Sequence, residues 1–147
     1  MEMKSICAEH APAAIGPYSH AVLAGDTLYV SGQLGTDPES GVLPETLEEQ
    51  AERALGNLSS VLAAAGMTLA NVVKTTVFLA DMKDFGAVNE IYSRVFGANV
   101  PKEGYAAAAY YDLAKHAKIV GFPARSCVQV AGLPKGAKVE IEAIAVR

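Results

Sequence analysis

One long amphipathic stretch, from about residue 44 to residue 65, most constrains the fold of this chain. Glu45, Glu48 and Glu49 lie in its first turns, where the helix dipole favours negative charge, and Gly66 is a good C-terminal stop. A wide apolar stripe on a helix has to be buried against a second layer. The stripe recurs at helical spacing and is interpreted as core, not as a cofactor site: Leu47, Ala51, Ala54, Leu55, Leu58, Val61, Leu62 and Ala65.

Strand patterns on both sides of this helix supply the second layer. We predict an edge strand over 4–8, a hairpin of strands over 18–23 and 27–31, and a strand over 71–80 that is buried on both faces. A second helix follows, capped by Asp81 or Asp84. Its buried stripe is formed by Phe85, Val88, Tyr92, Val95 and Phe96. The element order predicts an α+β fold with helices on one face of a mixed sheet.

Residues 122–147 bring an arginine close to two glutamates on what we predict to be a hairpin of strands over 124–131 and 138–146. Counting around the turn places Arg125 opposite Ile144 and closer to Glu142 than to Glu140, although a shifted loop would change the pairing. An arginine fork binds a planar carboxylate, and a glutamate can orient or deprotonate a water. These groups predict a site that hydrolyses a small acid. The alternative is a surface ion pair, and geometry leaves the choice of glutamate open.

Composition argues against several classes of protein. The 147 residues suggest one domain, and the net charge of −4 gives no basic footprint for nucleic acid. No apolar run approaches a membrane span, and residues 1–7 lack the apolar core of a signal peptide. Two cysteines and three scattered histidines fit no metal motif. We therefore expect a cytoplasmic protein without a metal.

The segment over 101–121 is rich in alanine and is predicted to be a third helix. A strand over 105–111 is the alternative, which the alanines disfavour.

Several long motifs resemble the RidA family, also called the YjgF family. They occupy 11–21, 31–33, 73–79, 85–92, 123–127 and 133–145, and the likeness covers about 3–100 and 122–147. The segment over 101–121 departs from the family, whose members run almost directly from the second helix into the Pro-Ala-Arg motif. We expect a single RidA-like domain over 1–147 with an atypical helical insertion, which packs on the outer surface or, alternatively, covers or blocks the site.

The resemblance implies a chorismate-mutase-like fold, a homotrimer and sites in clefts between subunits. It also implies hydrolysis of 2-imino and enamino acids, the reactive products of pyridoxal-phosphate enzymes, to 2-oxo acids and ammonia. The protein itself would use no cofactor. The implied substrates include 2-aminoacrylate, 2-iminopropanoate and 2-iminobutanoate.

The resemblance also implies residue roles. Arg125 would bind the substrate carboxylate, and Glu140 rather than Glu142 would position the attacking water. Backbone groups at Cys127 would hold the imine or the water. Tyr18 would wall the pocket, with a core aromatic as the alternative.

Ser31 and Asn89 would line the same cleft. The alternatives are a turn cap for Ser31 and an ordinary polar helix position for Asn89. The competing functions are a trimeric module that binds small carboxylates with little turnover because of the insertion, and nucleic-acid cleavage, which the acidic composition and the lack of Trp disfavour.

Overall fold

The computed structural model describes residues 1–97 and 121–147, and these build a six-stranded mixed sheet with two helices on one face. The strands are β1 (Met3–Ile6), β2 (Ala21–Ala24), β3 (Thr27–Leu34), β4 (Val72–Leu79), β5 (Ala124–Gln129) and β6 (Val139–Val146). The helices are α1 (Leu47–Ala64) and α2 (Phe85–Phe96). The α+β prediction is confirmed. The helix predicted over 101–121 and its strand alternative over 105–111 lie, except for Gly121, outside the described residues.

Helix α1 forms where its apolar stripe predicts it and packs against β3, β6 and α2. Thr46, not Pro44, begins it, because the Thr46 hydroxyl accepts a hydrogen bond from the Glu49 backbone N–H at 3.3 Å. Every apolar residue of the predicted stripe is buried. Gly66 follows the helix with φ +71°, a left-handed conformation that glycine adopts without steric cost. The stripe therefore forms the centre of the core.

The predicted C-terminal hairpin is wrong. The sheet order is β1-β2-β3-β6-β4-β5, so β4 lies between β5 and β6. Strand β5 pairs with β4 in parallel, with Thr75 opposite Arg125, and β6 pairs with β4 in antiparallel fashion, with Phe78 opposite Glu140. The residue opposite Arg125 is therefore Thr75 of β4, and not Ile144 of β6 as predicted.

The connection between β5 and β6 explains this arrangement. Residues 130–138 cross the end of β4, a distance of about 10 Å for two strand spacings. Both ends of the crossing are fixed to β4, because Val130 N–H donates to the Leu79 carbonyl at 2.9 Å and Ala80 N–H donates to the Lys138 carbonyl at 3.1 Å. A short link between two strands in sequence resembles a hairpin, but this one joins strands that do not pair.

The two faces of the sheet differ in what covers them. Alternate residues of β4 and β6, among them Thr75, Val77 and Ile141, are fully buried beneath the helices. The opposite face has no covering layer within the described residues and exposes Tyr29 and Val128. Strand β4 is therefore not buried on both faces in a single chain, contrary to the prediction from its apolar sequence.

The two ends that flank residues 98–120 lie next to each other. A Cβ atom built on Gly97 would lie 3.1 Å from Cζ of Phe122. The rings of Phe122 and Tyr92 are stacked with centroids 6.4 Å apart. The contacts of Phe122 with Gly97 and Tyr92 therefore hold the end of α2 next to the start of β5.

This closeness predicts that residues 101–120 can be deleted without loss of the fold. The four residues that remain as a connection can span about 13 Å, and shortening the link reduces the loop-closure cost by about 1–2 kcal/mol. We expect a cooperative thermal transition at the same temperature as the intact chain or a few degrees higher, measured by circular dichroism. A transition that broadens or disappears would contradict this.

Candidate functional site

Arg125 lies on the helix-covered face of the sheet, at its edge strand. Its guanidinium carbon lies 4.8 Å from the ring centroid of Tyr92 and 5.5 Å from that of Phe85, both on α2. These distances are within the range of cation–π attraction. Packing against ring faces holds the guanidinium plane without using its N–H donors, which stay available for an anion. Within the described residues, no carboxylate forms a salt bridge with Arg125.

Tyr92 anchors this arrangement from inside the core. Its hydroxyl shares a 2.7 Å hydrogen bond with the buried Thr75 hydroxyl, and its ring contacts Phe96 with centroids 4.6 Å apart. Burial raises the pKa of Tyr92, an effect that the Thr75 hydrogen bond and the Arg125 charge partly oppose. The ring is therefore a neutral and well-packed platform for the cation.

Asn89 and Cys127 complete the surroundings of Arg125. Asn89 follows Phe85 by four residues and precedes Tyr92 by three, so it lies on the same face of α2 as both rings. Cys127 lies two residues along β5 from Arg125 and packs against the core. Burial raises the pKa of its thiol more than the Arg125 charge lowers it, which keeps the thiol neutral. We call this group the arginine half-site: Phe85, Asn89, Tyr92, Arg125 and Cys127.

Glu140 lies on the opposite, uncovered face, over a bulge in β3. The register between β3 and β6 shifts between Val30 and Gln33, and the Glu140 side chain lies against Gly32 inside that bulge. A Cβ atom at position 32 would lie 2.7 Å from Cδ and 3.0 Å from Cγ of Glu140. A larger residue at position 32 would force the Glu140 carboxylate to shift from this place.

Two features of its surroundings make the Glu140 carboxyl group harder to ionise than that of an exposed glutamate. Burial raises the pKa of its carboxyl group, and the negative charge of Glu142 on the same face raises it further. A carboxylate with a raised pKa is a stronger base than an exposed glutamate, which suits proton transfer from water.

Tyr18 and Ser31 lie on the glutamate side. The Ser31 hydroxyl donates to the Ser19 carbonyl at 2.6 Å, which ties the loop before β2 to the bulge. The half-exposed Tyr18 accepts a 3.2 Å hydrogen bond from Ile15 N–H at its hydroxyl, and Tyr18 shares the wall of one cavity with Gly32. Tyr18 is therefore not a core aromatic, and Ser31 holds a loop. We call this group the glutamate half-site: Tyr18, Ser31, Gly32 and Glu140.

The two half-sites do not meet in one chain. Arg125 and Cys127 pair with Thr75 and Val77, which face the helices, whereas Glu140 pairs with Phe78, which faces the other way. The sheet itself separates the cation from the carboxylate. The contact between Arg125 and a glutamate that the sequence predicts across a hairpin therefore does not exist within one chain, and the roles of these residues stay predictions.

Three residues of these groups were missed as site residues by sequence reasoning. Phe85 and Tyr92 are assigned there only to the core, although their spacing around Asn89 indicates a shared face. Gly32 carries no such signal in one sequence, because its role depends on a side chain of another strand. Within residues 1–97 and 121–147, no group of three or more His, Cys, Asp or Glu side chains is arranged to hold a metal ion.

The close contact between Gly32 and Glu140 predicts a strong coupling between the two positions. A Gly32→Ala substitution should lower the free energy of unfolding by about 1 kcal/mol, because the new methyl group forces the flexible end of the Glu140 side chain to move. In a Glu140→Ala background the same substitution should cost about 0.5 kcal/mol or less. Denaturant unfolding at fixed protein concentration measures all four variants of this cycle. If Gly32→Ala lowered the free energy of unfolding equally in both backgrounds, the glycine would not be needed to accommodate the Glu140 carboxylate.

Comparison with protein-family models places residues 8–147 in the family described as Endoribonuclease L-PSP. A rat protein named 2-iminobutanoate/2-iminopropanoate deaminase is 50% identical over 145 residues, covering 98% of this chain and 90% of the rat protein. A protein of Escherichia coli strain K12 with the same name is 42% identical over 144 residues, covering 98% of both chains.

Solved structures agree with this relationship. The YjgF gene product of E. coli superposes with a TM-score of 0.81 at 41% identity, covering 98% of both chains. E. coli TdcF, solved with bound serine, gives a TM-score of 0.82 at 38% identity and the same coverage. The family-model match, the long sequence matches and the structural superposition together establish that this chain belongs to the RidA (YjgF, L-PSP) family.

Proposed function

We propose that the protein is a hydrolytic deaminase of 2-imino and enamino acids, a 2-iminobutanoate/2-iminopropanoate deaminase that releases 2-oxo acids and ammonia. The names of relatives up to 50% identical over nearly the whole chain support this function. The serine bound in E. coli TdcF supports a site that accepts a small amino acid-like molecule. No cofactor enters the proposed reaction.

The observation that carries the proposal is the separation of Arg125 and Glu140 by the sheet. One copy cannot apply both groups to a small substrate, but the arginine half-site of one copy can face the glutamate half-site of the next. The exposed Tyr29 and Val128 on the uncovered face are the kind of apolar surface that a second copy buries. We propose a homotrimer, a closed ring in which every subunit boundary holds one site.

The chemistry then follows from positioning. Arg125 binds the carboxylate of the protonated imine, and Asn89 and the Cys127 backbone orient the nitrogen. Glu140 takes a proton from water as the water oxygen bonds to C2, and the electrons of the C=N bond move to nitrogen. Glu140 then returns the proton to nitrogen, the C–N bond breaks, and the hydroxyl becomes the carbonyl of the 2-oxo acid. The hydroxyl proton leaves with ammonia as ammonium.

The proposed physiological role is removal of reactive products of pyridoxal-phosphate enzymes in the cytoplasm. None of the helices in the described ranges is long and apolar enough to cross a bilayer. The family description names an endoribonuclease, but the net charge of −4 gives little attraction to phosphate. A binding module without turnover is the second candidate, and it predicts carboxylate binding that survives without any hydrolysis.

A mixing experiment tests the shared site and the activity together. Arg125→Ala and Glu140→Gln chains should each be nearly inactive alone. When they are unfolded and refolded together in equal amounts, about a quarter of the sites should combine an intact arginine with an intact glutamate. Activity is measured with 2-iminobutanoate, formed in situ from threonine by threonine dehydratase, as reduced trapping of the imine by semicarbazide.

Each outcome of this experiment has a distinct meaning. Recovery to about a quarter of the wild-type rate supports a site made from two copies. Wild-type protein that binds 2-oxobutanoate but does not lower trapping would favour the binding module. Wild-type hydrolysis with no recovery in a mixture whose chains have refolded and associated would show that Arg125 of one copy and Glu140 of another do not form the active site.

The raised pKa of Glu140 predicts how the rate depends on pH. A general base must be ionised, so the rate falls as the pH drops through the raised pKa of Glu140. A Glu142→Gln substitution removes the neighbouring negative charge, lowers the pKa of Glu140 and should move the acid limb of kcat/KM to lower pH. The imine also titrates, but this effect is the same for both proteins when their trapping assays use the same buffers. The difference between their pH profiles therefore reports on the proteins. If the midpoint pH of the acid limb of kcat/KM were unchanged or higher in the Glu142→Gln protein, the role of Glu140 as the base would be contradicted.

A further inference from the structure

The connection between β1 and β2 runs over residues 7–20 without a helix or strand, and we call it the N-terminal loop. It carries Tyr18 to a wall that this residue shares with Gly32, against which the Glu140 side chain lies. A coil of this length loses much conformational entropy when it is fixed in one shape. Specific contacts therefore have to hold the loop, and Tyr18 with it, in place.

The His20 side chain makes two hydrogen bonds to the first half of the N-terminal loop. His20 is 8% exposed, and its Nδ1 accepts a hydrogen bond from Ala8 N–H at 2.9 Å. Its Nε2 lies 2.9 Å from the Pro12 carbonyl oxygen. Because a backbone N–H only donates and a carbonyl only accepts, Nδ1 carries a lone pair and Nε2 carries the hydrogen. The ring is therefore neutral, and it joins residues 8–12 to the end of the loop.

The backbone at the end of the N-terminal loop is fixed to β3. Ser31 N–H donates to the His20 carbonyl at 3.0 Å, and the Ser31 hydroxyl donates to the Ser19 carbonyl at 2.6 Å. Ser31 lies between Val30 and Gln33, where the register with β6 shifts. The His20 ring thus attaches the first half of the loop to a point that is already fixed beside the bulge.

Tyr18 itself is bonded only to its neighbours among the described residues. Its N–H donates to the Gly16 carbonyl at 2.9 Å, and its hydroxyl accepts from Ile15 N–H at 3.2 Å. These bonds orient the ring relative to residues 15 and 16, which belong to the same loop. The position of Tyr18 relative to Glu140 therefore depends on the two flanks of this segment, residues 8–12 and residues 19–20, which His20 joins.

We propose that His20 is a positioning residue for the proposed reaction: its neutral ring fixes the N-terminal loop, and through it Tyr18, against the bulge beside Glu140. This role rests on the proposed function, in which Tyr18 walls the substrate pocket. A side chain that cannot both accept from Ala8 N–H and donate to the Pro12 carbonyl leaves two polar groups without partners. The loop then has to open so that water can reach them, and Tyr18 moves with it.

A single tryptophan tests the attachment of the loop without any measurement of activity. The chain has no Trp, so Tyr18→Trp supplies the only indole emission, and time-resolved fluorescence anisotropy follows its nanosecond motion. In this background, His20→Leu should raise the amplitude of the fast anisotropy decay by about twofold or more. His20→Gln should leave this amplitude unchanged, because its amide offers one acceptor and one donor.

The activity of chains that keep Tyr18 tests the effect on the reaction. His20→Leu should lower kcat/KM for 2-iminobutanoate, measured by semicarbazide trapping, by about tenfold or more. His20→Gln should keep kcat/KM within about twofold of the wild-type value. In a Tyr18→Ala background, His20→Leu should cause little further loss, because the residue through which His20 acts is already absent. A role in folding alone would lower kcat/KM equally in both backgrounds.

His10→Leu is the matched control, because His10 is exposed in the same loop. This control should change neither the anisotropy nor kcat/KM. If His20→Leu does not fold, His20→Asn replaces it, since the shorter amide cannot reach both Ala8 N–H and the Pro12 carbonyl.

Two results would overturn the proposal. One is an anisotropy decay that stays the same when His20 is replaced by leucine or asparagine. The other is a wild-type protein that hydrolyses the imine while these variants lose no activity, or lose it equally with and without Tyr18. If the wild-type protein hydrolyses no imine but the anisotropy changes as expected, the proposed function fails and the attachment of the loop by His20 stands.

Discussion

The β-sheet places Arg125 on one face and Glu140 on the other, and this separation determines which residues can lie in a common pocket. Successive side chains of a strand point to opposite faces, so the register of β4 with its neighbours decides which groups can share a pocket. Helices α1 and α2 cover one face, and the half-buried Arg125 packs against the rings of Phe85 and Tyr92 on α2. The other face carries Glu140, whose side chain lies against Gly32. No adjustment of side-chain rotamers can bring the two groups together through a packed sheet.

Local patterns predict the elements of this fold well. The stripe over 44–65 identifies α1 because apolar spacing and a glycine stop both act within a few residues. Edge strand β1, the β2–β3 hairpin and helix α2 follow for the same reason. Residue types at strand positions indicate Arg125 and either Glu140 or Glu142, and period two predicts their faces. The resemblance to the family, and not the strand pattern, selects Glu140.

Strand order is what a single sequence could not supply. The link over 130–138 is short, and its turn residues are those of a hairpin, yet it crosses β4. The residues of this link do not indicate that β4 lies between β5 and β6. That order is favoured because β4 then pairs with a strand on each side, which depends on residues far away in the sequence. The same limit hides Gly32, whose requirement arises from Glu140 more than a hundred residues away in sequence.

The position of the acid and the cation on opposite faces also links the proposed catalysis to mass action. In the proposed ring, a single chain carries two incomplete surfaces, and association would complete each site. Specific activity in the proposed ring then depends on total protein concentration, falling upon dilution below the dissociation constant of the subunits and returning upon reconcentration. Substrate that bridges two copies binds the assembled form alone, and so it draws the equilibrium toward assembly.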